Sequence, residues 1–73
     1  MTDTQLQKAR TKLAGLLKQK RKEKRLTLQQ LADQIGIMQP SLTRIESGKF
    51  WVTMPLLFKI CEVLEIKMFE DGI

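Results

Sequence analysis

The segment Gly36-Ile37-Met38-Gln39-Pro40 leaves its neighbours few ways to fold. Just before it, Leu28, Leu31, Ala32 and Ile35 recur at i, i+3, i+4 and i+7, the spacing of one helix face. Thr27 and Gln30 stand at capping-box spacing, so a helix is expected over residues 28–35. Gly36 ends it, because glycine readily takes the left-handed conformation that a helix C-terminus usually needs. Pro40 disfavours α geometry in the residue before it and is itself well tolerated at the first helical position. Gln39 is therefore expected at the cap and Pro40 at N1, with the next helix running to about Ser47, where Ser47-Gly48 stops it. Two short helices must be joined by a three-residue turn.

The second of these helices has little to bury. Counting from Gln39 at 100° per residue, Leu42 and Ile45 fall at about 300° and 240°. Gln39, Thr43, Pro40 and Arg44 fall on the opposite side, at about 0°, 40°, 100° and 140°. These four make one continuous outward ridge, and Ser41 lies between ridge and core.

The rest of the chain completes a small all-α domain. Leu6, Ala9, Leu13, Leu16 and Leu17 recur at three- and four-residue steps, predicting an amphipathic helix to about Arg25 after a loose amino end, residues 1–5. Residues 49–53 read as a loop with exposed-looking Phe50 and Trp51, the tryptophan placed either to cover the core edge beneath Pro55, the favoured reading, or to lie along a partner's backbone. Thr53 can cap a fourth helix with Pro55 in its first turn. Leu57, Ile60, Cys61 and Leu64 line its buried face, with Leu56 and Val63 at the margins. The tail, residues 67–73, is readable as a short strand or a short fifth helix and is a candidate dimer contact.

Charge divides the chain in two. Residues 1–26 hold nine Lys/Arg against Asp3 and Glu23, a balance of +7, whereas residues 27–73 hold four against six acids, −2. A basic half suits a polyanion, and the plain alternative is a solvated helix face. Catalysis has almost nothing to stand on: there is no histidine, no phosphate-binding glycine loop and no carboxylate cluster. The lone Cys61 excludes an internal disulfide and sits at a core position, which favours a reducing, cytoplasmic setting. No apolar run approaches the ~20 residues of a membrane span. No metal or cofactor is expected.

Two short helices on a tight turn, the second with an outward polar ridge, describe a DNA-reading helix-turn-helix. The segments "LTLQQLADQIGIMQPSLTRIESGK" and "LLFKICEVL" resemble the phage repressor and Cro type family, the Xre family, over residues 16 to 66. The resemblance implies a compact four- to five-helix domain over residues 6–66, whose third helix enters the major groove. It also implies that Gln39 reads a base, with Pro40, Thr43 and Arg44 supplying the remaining readout. The chemistry suits those positions: Arg44 can donate twice to guanine, Gln39 can pair with adenine, and the Thr43 methyl or Pro40 ring can pack on a thymine methyl.

The resemblance also implies phosphate contacts, here from Arg21, Thr27, Gln29, Ser41 and Lys49; such contacts set register without reading sequence. Glu46 matches a family glutamate that pairs with a helix 1 arginine, here Arg21. Three positions depart from the family pattern. Leu28 stands where a glutamine often meets a phosphate, Met38 replaces a capping Ser or Thr, and Glu65 replaces the glycine after helix 4.

The expected partner is double-stranded DNA, bound by a homodimer at a pseudo-palindromic operator, because one short helix reads few bases. The expected role is that of a repressor. The alternative is an antitoxin or accessory module that binds a protein through the tail or Phe50 and Trp51. Membrane binding by helix 1 is disfavoured, because its apolar face lacks an aromatic anchor.

Overall fold

The computed structural model describes residues 1–67, and among these it contains four helices and no strand. They are α1 (Asp3–Glu23), α2 (Leu28–Ile35), α3 (Gln39–Glu46) and α4 (Met54–Leu64). α1 packs on α3 and α4, and α2 packs on the same two helices from across the core. Leu17, Leu31, Leu42 and Ile60, one from each helix, are the largest fully buried side chains and meet at the centre. The tail residues 68–73, for which the sequence leaves a strand or a fifth helix open, lie outside the described residues.

α1 begins earlier than its apolar spacing suggests. Thr2 accepts from the Gln5 amide at 3.1 Å, and the Gln5 side chain accepts from the Thr2 amide at 2.8 Å, a full capping box. Residues 3–5, expected in a loose end, are therefore its first turn, and the helix ends at Glu23 rather than near Arg25. Its inward face also differs from expectation. Ala14, Leu17 and Arg21 are buried and Leu13 packs against the core, but Leu6 and Leu16 are each 40% exposed. Leu16 points away because Ala14, not Leu16, faces the core beside Gly48; for Leu6 the cause is length. Twenty-one residues span about 31 Å, far more than the eight-residue α3 can cover at about 12 Å.

Three helix ends close in the same way. The Leu26, Ile37 and Ile66 amides donate to the carbonyls of Arg21, Ala32 and Cys61, each five residues back. The residue before each donor is left-handed: Arg25 at φ 58°, Gly36 at φ 78° and Glu65 at φ 57°. This arrangement satisfies terminal carbonyls and folds an apolar residue back onto the core, as Leu26, Ile37 and Ile66 do. Only Gly36 announced its end in the sequence. Glu65, where the family has glycine, adopts the left-handed conformation itself and pairs with Lys24 Nζ at 2.6 Å.

The start of α3 is shifted by one residue. Met38 is the cap, since its carbonyl accepts from Ser41 at 3.0 Å and Leu42 at 3.4 Å. Gln39 is N1 and Pro40 is N2, where a missing N–H is equally harmless because no intrahelical acceptor exists for it. Met38 offers no side-chain cap bond, in line with its departure from the family's Ser or Thr. Thr53 is the cap of α4, yet its hydroxyl makes no capping bond. Pro55 in that first turn removes one of the two amides a cap can serve.

Candidate nucleic-acid interface

α3 is held by its back and free at its front. Leu42 and Ile45 are 1% and 8% exposed, while Pro40, Ser41, Thr43 and Arg44 are exposed and Gln39 is half-buried. The outward ridge expected from spacing is therefore present as a surface. The Arg44 guanidinium lies 6.0 Å from the Phe50 ring centroid, within reach of a cation–π contact. Phe50 belongs to the loop after α3, and only an exposed aromatic six residues on hinted at this partnership.

The far end of α3 is fixed to α1 at two places. Arg21 Nε donates to Glu46 Oε2 at 2.8 Å and Nη2 to Oε1 at 3.0 Å, a bidentate pair. Its Nη1 donates to the Leu26 carbonyl at 2.7 Å. Both side chains are under a tenth exposed. The expected structural pair is thus present, but Arg21 is a poor phosphate ligand here, since its three nitrogens already serve the fold. Three turns earlier, Arg10 Nε donates to the Gly48 carbonyl at 2.8 Å. Gly48 has φ +79°, and a Cβ there would meet Thr11 Cα at 3.4 Å and Ala14 Cβ at 3.7 Å. The sequence showed Arg10 only as another surface cation; Gly48 after a serine marked the turn but not the contact.

The remaining phosphate candidates are surface groups. Thr27 Oγ1 accepts from the Gln30 amide at 3.0 Å and keeps its own hydrogen to donate. The Leu28 and Gln29 amides at the same helix end have no hydrogen-bond partner among the described residues, a configuration suited to an anion. The Gln29 side chain donates to Asp33 Oδ1 at 2.7 Å. Leu28 packs against the core, so its side chain makes no use of the position. Lys49 is exposed, and its amide donates to Ser47 Oγ at 3.3 Å, while that hydroxyl donates to the Arg44 carbonyl at 2.5 Å.

A helix-turn-helix family model matches residues 17–70, which spans α2, the Gly36 turn, α3 and α4. The chain belongs to the Xre-type helix-turn-helix family. It is a DNA-binding helix-turn-helix regulator, and the family is typically non-enzymatic. No curated protein and no solved structure matched it. In this helix-turn-helix the match begins inside α1, so the first fourteen helical residues, 3–16, precede it. Trp51 lines a small gap with Arg10, Leu13 and Ile45, at the edge of the core beside α1. Among the described residues no cluster of potential metal ligands occurs, and no helix is long and apolar enough to cross a membrane. Cys61 is buried, and burial pushes its thiol above the ordinary pKa.

Proposed function

We propose that this regulator is a sequence-specific repressor that reads the major groove with α3 and binds a pseudo-palindromic operator as a homodimer. The observation that carries the reading is the exposed Pro40–Thr43–Arg44 ridge, with Gln39 at its leading edge, on a helix whose other face is fully packed. Arg44 reads guanine and Gln39 reads adenine, each good bidentate contact contributing about 1–3 kcal/mol of discrimination. Lys49, Thr27, Ser41 and the amino end of α2 hold phosphates and set the depth of α3 in the groove. Two copies are required because half-sites one helical turn apart, about 34 Å, give enough bases for useful specificity. Repression follows if the operator overlaps a promoter, and the protein then works in the cytoplasm.

The test is selection of bound duplexes from a random pool. Symmetric half-sites should be enriched, and Arg44→Ala should relax one base position per half-site. Lys49→Ala should instead weaken all sequences alike and lower the salt slope by about 1. An unchanged sequence profile for Arg44→Ala would remove α3 from the reading role. Phe50 and Trp51, both about half exposed, favour a protein-binding module as the second reading. That reading requires a partner whose affinity falls with Trp51→Ala while duplex binding does not.

A further inference from the structure

We propose that the outer face of α1 is a second binding surface, which takes the phosphate backbone of a further duplex while α3 holds the first. Lys8, Lys12, Lys18 and Lys22 lie along one side of α1 and all are exposed. Lys8 and Lys12 lie opposite the Ala14–Leu17–Arg21 face by which α1 joins the core, and Lys22 and Lys18 lie progressively nearer its edge, each still exposed. From Lys8 to Lys22 the line runs about 21 Å. None of the four has an ion pair among the described residues. Of the acids of α1, Asp3 is in the first turn, while Glu23 borders this face beside Lys18 and Lys22 and is engaged by Lys20 at 3.6 Å and by Gln19 at 3.1 Å. Four lysines without an ion pair among the described residues therefore share this side, with one engaged carboxylate at its carboxyl end.

Gly15 is the second, independent observation. It stands mid-helix in that same line, where glycine costs about 0.5–1 kcal/mol relative to alanine. Packing does not require it, because a Cβ built there would meet nothing within 4 Å. Its φ is not left-handed either. Nothing in the fold explains the glycine, but a ligand backbone that approaches the helix axis does. Two shallow troughs open on this side, one over Gly15, Lys18, Lys22 and the engaged Glu23, the other over Thr4, Lys8, Thr11 and Lys12.

The chemistry selects among polyanions. Lysines act as point charges on phosphates and read no bases. No aromatic side chain lies between Lys8 and Lys22, so there is nothing for single-stranded bases to stack on. The troughs contain no apolar anchor larger than a threonine methyl, which disfavours a lipid surface. A duplex backbone is left. Lys8, Lys12 and Gly15 precede the family match, and Lys18 and Lys22 fall within it.

The inference rests on the α3 reading only in that α3 occupies the first duplex. The test uses the full chain, a pool-selected duplex and a random-sequence duplex carrying a donor and an acceptor dye, mixed at ~50 mM salt. The wild type should bring the two duplexes together. The quadruple variant K8Q/K12Q/K18Q/K22Q should reduce that signal at least about tenfold and keep the pool-selected sequence. Its salt slope on random duplex should fall by about 3–4, one per lost phosphate contact. Gly15→Ala should weaken the second duplex about threefold while raising the thermal midpoint, a combination that a merely solvated face cannot give. Wild-type bridging that survives in the quadruple variant, or no bridging by the wild type, overturns the proposal. Uptake onto phosphatidylserine vesicles without a second duplex overturns it too. Failure of the α3 reading shows separately, as an unchanged base profile in Arg44→Ala.

Discussion

Two ion pairs tie the carboxyl-terminal end of α1 to the rest of the molecule, and they differ in everything but charge. Arg21–Glu46 joins α1 to the end of α3 through two parallel hydrogen bonds, with both side chains under a tenth exposed. Lys24–Glu65 joins α1 to the end of α4 through a single contact at 2.6 Å, with the carboxylate side chain 74% exposed. The first pair is desolvated on both sides, so removing one partner strands a buried charge. The second is surrounded by water, and salt and solvent screen most of its attraction. α3 is therefore fastened firmly at its carboxyl end, two residues after Arg44, while the end of α4 is fastened loosely. Rigidity is concentrated where a base-reading side chain needs a fixed platform.

The largest expected effect breaks the buried pair. Glu46→Ala should cost about 3–5 kcal/mol, seen as a fall in the midpoint of a urea or thermal unfolding curve. Replacing both partners, as Arg21→Met with Glu46→Leu, should recover most of that loss. If the single variant costs no more than a surface pair, the two junctions are not different in kind.

The next effect is smaller and opposite in sign. Glu65→Gly should raise the thermal midpoint by about 2–5 °C, because relief of a left-handed residue outweighs loss of an exposed contact. A lowered midpoint would mean that the Lys24 pair matters more than its exposure allows.

The smallest effect is a pH dependence. The hydrogen bond from Lys24, and then its charge, hold the Glu65 carboxyl below its usual value of 4.5. Its contribution is fully present above pH 4.5 and is lost as pH falls through the lower folded-state value. Lys24→Gln should flatten that part of the stability curve, and the same flattening should follow from high salt in the wild type.

How much of this was legible depended on whether a residue's partner lies nearby in sequence. α2, Gly36 and the Leu42–Ile45 support of α3 follow from spacing and glycine chemistry, both local. The ridge follows too, because exposure on a short helix is the complement of its burial. The pairing of Arg21 with Glu46 came from family resemblance, since nothing local links residues 25 positions apart. The capping box at Thr2 and Gln5 has the same spacing as Thr27 and Gln30, but the apolar periodicity starting at Leu6 drew attention past it. Burial of Ala14 in place of Leu16 was out of reach, because it depends on Gly48 settling against α1. Arg25 and Glu65 hide left-handed turns behind ordinary side chains, and only the backbone reveals them.

The buried cysteine on α4 has a use that concerns measurement rather than chemistry. Cys61 is 6% exposed on the face that packs into the core, so a thiol reagent in solution has little access to it, and burial also raises its thiol pKa. Modification must wait until α4 lifts away. The labelling rate of this single thiol is therefore a clock for openings of the domain, needing no added probe. Run with and without duplex, it times how long the domain stays shut.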